Sequence, residues 1–518
     1  MAERGVTQSY HDPVLSTYYP STNNGIPDDL VPKCLDHLGK VGQLVTTAKR
    51  DVVRLQAELD IAWKHLRNLE HEYASCDSLL SPIRRVPEEV LVSIFLHLLE
   101  CPRALDSNGI SQLTTLQRVC RKWWHATQGS HQLWKGLEVS IPFRTKQPSS
   151  PCDFLIPWFR RAGTEGPFSL TLLGKAHLID GEDLLLCREL ARFFARPRPW
   201  AVLRFIRIPD HIMTAIFKVV LEETEETQIS PWKAVTRLDV DLNLTVHPRI
   251  SGQPYRLPII ALPSLTYLAI RGSFQPFAHD RLQTLVMRNY AGWLGDILLM
   301  LASLPALQNL IIESGIIAGR ISTAGPGNAP SAVHTNLTNL ELVGKSSLSL
   351  LLGLPQLPSL QKLTLREVFN RGDRQTIDTK KLATFVSTLP NLQELHFPDS
   401  SILHAGIADI VGHAPTLQRL FVPHIGFFGN WNPRAAVDRT TKCWTEINVA
   451  SAPSDAQLER LHTFFVHRHA CIGHSEPPPP KVRLHVCRGW PRYLILRRDW
   501  TSRLAEVGVD MTTEIATD

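Results

Sequence analysis

The stretch HRHACIGH at 467–474 sets His467, Cys471 and His474 at i, i+4 and i+7, one face of a helix, with side chains that hold zinc. A structural zinc site closes with four ligands, and only a speculative His485 or Cys487 stands in reach as the fourth. Histidines favoured by the negative end of a helix dipole are the plainer account. No metal and no cofactor are assigned.

A second stretch, KVRLHVCRGWPRYLILRRDWTSR, spaces Lys481, Arg483, Arg488, Arg492, Arg497, Arg498 and Arg503 among Trp490, Tyr493 and Trp500. Guanidinium groups pair with phosphate or carboxylate, so an acidic or phosphorylated peptide, or RNA, is a conceivable ligand. A solvated edge on terminal strands is the commoner use of such residues. No catalytic residue is assigned. GPGNAP does not fit a phosphate-binding glycine loop, HEY at 71–73 lacks the second histidine of HExxH, and no GxSxG or kinase signature occurs, so the chain is expected not to be an enzyme.

The 518 residues exceed what one ordinary domain buries around a single core, which calls for several domains or a repetitive architecture. A net charge of +6, from 55 basic and 49 acidic residues, is a weak field over this length, and nucleic acid is not the expected partner. Nine cysteines without a CxxC pair argue for a reducing compartment. The first twenty residues lack a signal-peptide core, and no apolar run approaches the roughly 20 residues that span a bilayer. The expected protein is intracellular, cytoplasmic or nuclear, without membrane attachment.

Any such site must be held in place by the regular parts of the chain. Residues 1–38 are polar and read as a disordered arm, followed by a heptad-patterned helix over 39–80. Its seam is Val45, Ala48, Val52, Leu55, Leu59, Ala62, Leu66, Leu69, Tyr73, Cys76 and Leu80, and Pro82 ends it. Such a seam packs either on a neighbouring helix or in weak self-association through residues 45–80.

Beyond residue 130 an LxxLxL pattern recurs, in LPSLTYLAI, RLQTLVM, LPALQNLII, HTNLTNLEL, LPSLQKLTL, LPNLQELHF and APTLQRLFV, with weaker copies near 238 and 447. Its second apolar positions are 238, 268, 285, 310, 340, 363, 395, 420 and 447. Helical stretches closed by proline separate the copies, as in TKKLATFVSTLP. Strand, helix, proline, strand is the order of a βα solenoid with a parallel sheet, which resembles an irregular leucine-rich repeat lacking the usual asparagine. An insertion at 318–333 reads as a loop on one rim.

Between helix and repeats lies SPIRRVPEEVLVSIFLHLLE. Pro87 and two glutamates signal a helix start. Plotted at about 100° per residue, Val90, Leu91, Val92, Ile94, Phe95, Leu96, Leu98 and Leu99 cover roughly two-thirds of the circumference, so this helix must be buried on more than one side. Downstream come Val119-Cys120-Arg121-Lys122-Trp123 and Leu133-Trp134. Together these residues, over 81–136, resemble the F-box. Val86 stands where that family has leucine, and the connection at 101–110 is long; both lower the expected affinity for an adaptor.

The resemblance implies a three-helix bundle that docks on a Skp-type adaptor of a cullin ubiquitin ligase, with Pro87, Val90, Leu91, Ile94, Phe95, Leu98, Val119 and Trp123 as adaptor-binding positions. The expected fold class is α+β multi-domain: long helix, F-box-like domain at 81–136, leucine-rich-repeat-like solenoid at 137–475, then a proline spacer and basic segment at 476–518. The expected function is the substrate-recognition subunit of an SCF-type ligase, its solenoid binding an unknown protein substrate. The alternatives are a scaffold that keeps the F-box-like fold without joining a ligase, and a phospho-ligand or RNA binder through the basic stretch.

Overall fold

The computed structural model describes residues 26–514, apart from 81, 101–103, 142–150, 175–183, 243–256, 273, 291–293, 315–333, 335, 345–350, 352–353, 355, 367–378, 399–406, 408–409, 423–424, 426–442, 451–452, 472–480 and 488–496. The expected rim loop at 318–333 lies outside the described residues, as does most of the N-terminal arm. Contacts divide the chain into two compact units, Met1–Pro87 and Glu88–Asp518.

The first unit is helix α1, Val31–Leu80, followed by a 3-10 turn at Pro82–Arg84. The helix starts earlier than the change of pattern near residue 39, because Pro32 sits in the first turn, where the missing amide costs nothing. Along its length Lys40 pairs with Asp36 at 2.6 Å and Arg54 with Glu58 at 2.9 Å. The hydrogen bond that Lys40 donates to Asp36 raises the Lys40 pKa. Pairs one turn apart and this exposed stabilise a helix by a few tenths of a kcal/mol, roughly. Val45, Val52, Leu55, Leu59, Leu66, Leu69, Tyr73 and Leu80 of the seam are all exposed. No described helix is long and apolar enough to cross a membrane.

The second unit opens with three short helices, α2 (Glu88–Leu98), α3 (Ser107–Val119) and α4 (Arg121–Gly129), and a 3-10 turn at His131–Trp134. Asp106 caps α3, its Oδ1 accepting from the Gly109 amide at 2.8 Å. Two indole donors tie this bundle to the first turn of the solenoid. Trp134 Nε1 donates to the Thr127 carbonyl at 2.9 Å, and Trp158 Nε1 donates to the Trp134 carbonyl at 2.8 Å. The backbone of Leu105 bridges to the first strand, accepting from the Glu138 amide at 2.7 Å.

Among the described residues, fourteen strands then form one parallel sheet in strict chain order. They are β1 (Gly136–Ile141), β2 (Phe168–Gly174), β3 (Trp200–Ile208), β4 (Arg237–Leu242), β5 (Tyr267–Arg271), β6 (Thr284–Tyr290) and β7 (Asn309–Ser314). The second half comprises β8 (Asn339–Val343), β9 (Lys362–Arg366), β10 (Glu394–His396), β11 (Arg419–Val422), β12 (Glu446–Val449), β13 (Val482–Cys487) and β14 (Val509–Glu514). Helices α5 (Pro151–Arg161), α6 (Leu184–Ala195), α7 (Asp210–Thr227), α8 (Leu294–Ser303), α9 (Thr379–Ser387), α10 (Asp455–Cys471) and α11 (Arg497–Glu506) lie in seven of the connections between the strands. This is the leucine-rich-repeat-like solenoid of the expected α+β layout, and its sheet runs on through β13 and β14, past residue 475.

The register explains the repeat. Leu238, Leu268, Leu285, Leu310, Leu340, Leu363, Leu395, Leu420 and Ile447 fall in one column of partners across nine strands. Each is at most 1% exposed. Single repeats could not bury these side chains; stacked, they form a continuous core. From β5 to β12, the backbone carbonyl of a Thr or Gln at the corner before one strand accepts from the corner amides of the next turn. The carbonyl of Gln308 accepts from the Thr338 and Asn339 amides, that of Gln361 from Gln393 and Glu394, and that of Gln418 from Thr445 and Glu446, each at 2.8–3.1 Å. Every such turn hands its corner amides to the turn before.

The first turns carry an aromatic core. Phe159 meets Trp200 edge-on at 4.8 Å, Phe194 meets Phe205 at 5.2 Å, and Trp232 donates its indole N–H to the Phe194 carbonyl at 3.2 Å. Near the other end Arg468 on α10 is 1% exposed, stacked on Phe465 at 5.4 Å, with Nε and Nη2 lacking acceptors. Burial lowers its pKa to about 10, which leaves it charged at neutral pH.

Candidate functional site

Helix α2 carries apolar residues around most of its circumference, and the fold divides its side chains three ways. Leu91 and Phe95 are fully buried in the bundle, Phe95 packing on Trp123 of α4 with ring centroids 4.9 Å apart. Val92 and Leu96 line a groove of about 910 Å³, shared with His125, Ala126 and the turn at 162–165. The wall of that groove is a close approach: Gly166, at φ +94°, leaves room for Lys135, whose Nζ takes the space that a Cβ would fill there. Val90, Ile94 and Leu98 are 47%, 45% and 54% exposed. Their i, i+4, i+8 spacing makes one continuous apolar stripe along the helix.

Of the other positions singled out in the sequence, Val119 is 55% exposed at the end of α3, Trp123 is half-buried, and Pro87 is exposed. The set therefore separates into core (Leu91, Phe95, and Trp123 between) and surface (Val90, Ile94, Leu98, Val119). An exposed apolar arrangement of this kind gains about 25 cal/mol per Å² of apolar surface when that surface is taken out of water.

A second surface was not legible as a site in the sequence. Strand residues between the inward leucines point to the opposite face of the sheet, where charges pair from strand to strand. Arg204 meets Asp239 at 3.0 Å, Arg271 meets Asp241 at 3.2 Å, and Arg366 meets Glu341 at 3.1 Å. Arg237 lies over the Tyr267 ring at 4.0 Å. In these three ion pairs the carboxylate is the more buried partner and the guanidinium the outer one.

The densest point is Glu394 on β10. It accepts from Arg419 at 2.8 Å and faces Lys362 at 3.6 Å and His396 at 3.2 Å. The His396 ring stacks on Phe421 at a centroid distance of 3.7 Å. Burial, then the nearby Lys362 charge, push its pKa down to about 4 against the pull of Glu394, so the imidazole is neutral at pH 7. The signal that could have found this row is period two: LQKLTL, LQELHF and LQRLFV each put polar or aromatic residues at alternate positions.

The two sequence stretches that suggested chemistry have structural places. His467 lies on α10, His474 outside the described residues, and His485 on β13 beside Thr512 at 2.7 Å and Glu446 at 3.5 Å. Among the described residues no group of three His, Cys, Asp or Glu side chains could hold a metal ion. In the basic stretch, Arg503 stacks on Trp500 at 4.2 Å and pairs with Glu459 at 3.0 Å, while Trp500 donates to Asp455 at 3.1 Å. These contacts dock α11 against α10. Arg488 and Arg492 lie outside the described residues.

No protein-family model and no curated protein matches the chain. Among solved structures, the Rad7 and Elc1 complex of yeast superposes with a TM-score of 0.29 at 12% identity, covering 75% of this chain and 94% of that one. A structural-genomics protein of Bacteroides fragilis superposes with a TM-score of 0.28 at 17% identity, covering 49% and 80%. Both superpositions are loose.

Proposed function

We propose that this chain is a non-enzymatic recognition subunit: its F-box-like bundle docks on a Skp-type adaptor of an SCF-type ubiquitin ligase, and its solenoid holds a protein substrate. The observation that supports this reading is the exposed stripe Val90, Ile94 and Leu98 on a helix whose opposite side is already packed. An apolar stripe on a short helix, rooted in its own core by Leu91 and Phe95, suits insertion into a partner's groove. The outward face of the sheet, with its row of outermost guanidinium groups, is the surface offered to substrate. Catalysis belongs to the partner ligase, and the chain's contribution is the effective concentration of substrate near the ubiquitin-loaded enzyme.

Co-purification of the full chain with a Skp-type adaptor tests the reading. Ile94→Asp with Leu98→Asp is expected to abolish capture while leaving the thermal transition in place, because both residues are exposed. Leu91→Asp would instead disrupt the bundle and cannot serve as the test. Absence of adaptor from the wild-type preparation, or capture unaffected by the double substitution, overturns the ligase reading in favour of a scaffold.

A further inference from the structure

Helix α1 extends the seam beyond what the sequence pattern alone suggested. From Val31 every seventh residue (Val31, Leu38, Val45, Val52, Leu59, Leu66, Tyr73, Leu80) is apolar, and so is every seventh from Cys34 (Cys34, Val41, Ala48, Leu55, Ala62, Leu69, Cys76). Apart from half-buried Cys34 and Val41, all of these are exposed. A 50-residue helix is about 75 Å long, and one carrying an unbroken heptad seam in water is built to be covered by another helix.

Charge identifies the cover. Residues 31–55 hold Lys33, Lys40, Lys49, Arg50 and Arg54 against Asp36 and Asp51, a net +3. Residues 56–80 hold Glu58, Asp60, Glu70, Glu72 and Asp77 against Lys64 and Arg67, a net −3. A parallel second copy would set like halves side by side. An antiparallel one sets each basic half against an acidic half.

Side-chain volume points the same way. In parallel pairing the layers would be Ala48 on Ala48, Ala62 on Ala62 and Tyr73 on Tyr73, alternately empty and crowded. Antiparallel pairing about residue 57, which keeps 34–80 in overlap, sets Leu66 on Ala48, Val52 on Ala62, Tyr73 on Val41 and Leu38 on Cys76. Each small residue then meets a larger one.

We propose that α1 forms an antiparallel coiled coil with α1 of a second copy of this chain, so that the protein is a dimer whose two second units are joined to opposite ends of the paired helices. The proposal is independent of whether the bundle docks on an adaptor.

Light scattering on the full chain tests it. A dimer is expected, lost in Leu59→Asp with Leu66→Asp. Reversing the basic half (Lys49→Glu, Arg50→Glu and Arg54→Glu) is expected to weaken dimerisation by about tenfold or more. Adding Glu58→Lys, Glu70→Lys and Glu72→Lys to the same chain is expected to restore it. A parallel dimer would be indifferent to the first reversal, because like halves already face each other there.

Mild oxidation of the Leu38→Cys chain, read by peptide mass spectrometry, is expected to link the introduced thiol to native Cys76 of the second copy; Cys76 is exposed and free. A monomer at all accessible concentrations, as when α1 folds back within its own chain, overturns the proposal. So does a dimer insensitive to the charge reversal, or one that links the introduced thiol to its own copy.

Discussion

His396 shows how one residue couples the outward face to pH. Its folded pKa, about 4, lies below the unfolded value near 6.5, because burial and Lys362 disfavour the cation. The folded chain therefore binds fewer protons than the unfolded chain across that window. The contribution to stability is present above pH 6.5 and is lost as pH falls through the folded pKa. Chemical denaturation at pH 7 and at pH 4.5 is expected to give a smaller difference for His396→Phe than for wild type, by about 1–3 kcal/mol. Equal pH dependence in the two chains would show that the ring is not held neutral by the fold.

Arg468 poses a different question at the same scale, a charge kept inside with two donors unpaired. Replacing such a group by an apolar side chain of similar volume is commonly neutral or stabilising, whereas truncation leaves a void. Arg468→Met is expected to hold or raise the melting temperature, and Arg468→Ala to lower it. A steep loss in both would mean the guanidinium is needed as a charge.

Among elements, the strands and the caps carry stability unequally. Leu310 is 1% exposed in the middle of the inward column, so Leu310→Ala is expected to cost about 2–5 kcal/mol in denaturant unfolding. Arg271→Ala removes a part-exposed ion pair on the other face of the sheet and is expected to cost no more than about 1 kcal/mol. If the second loss equalled the first, the outward row would be structural rather than a surface free for binding. Asp106→Ala removes the cap of α3 and is expected to cost about 1 kcal/mol. Helix α2 is the element where local pattern and packing diverge. Its apolar residues run around most of the circumference, yet within the second unit only Leu91, Phe95 and the adjacent Leu99 are buried. Val90, Ile94 and Leu98 stay at the surface.

At the scale of the whole molecule, a solenoid's stability is the sum of its turns and the interfaces between them. Those interfaces are not equal here. Strands β2 and β3 run over seven and nine residues and rest on the Phe159, Phe194, Trp200 and Trp232 cluster, whereas β10, β11 and β12 run over three or four. Amides of β2–β4 are therefore expected to exchange with solvent more slowly than those of β10–β12, by hydrogen-exchange mass spectrometry on the full chain. Uniform protection along the sheet would mean that the array unfolds as one cooperative block.

The repeat was readable from sequence because it is local: the LxxLxL spacing fixes which side chains turn inward, and stacking merely brings the same position of each copy into one column. The heptads of α1 were readable for the same reason, although its start at Val31 was set by a proline that composition alone hid among polar residues. What tertiary structure alone decided was which apolar residues of α2 are spent on the bundle and which are left over, since Leu91 and Ile94 have the same chemistry and differ only in what stands opposite them. It also decided that Lys362, Glu394, His396, Arg419 and Phe421 form one cluster. These residues come from strands separated by 25 to 32 positions, and only the register of a parallel sheet makes them neighbours.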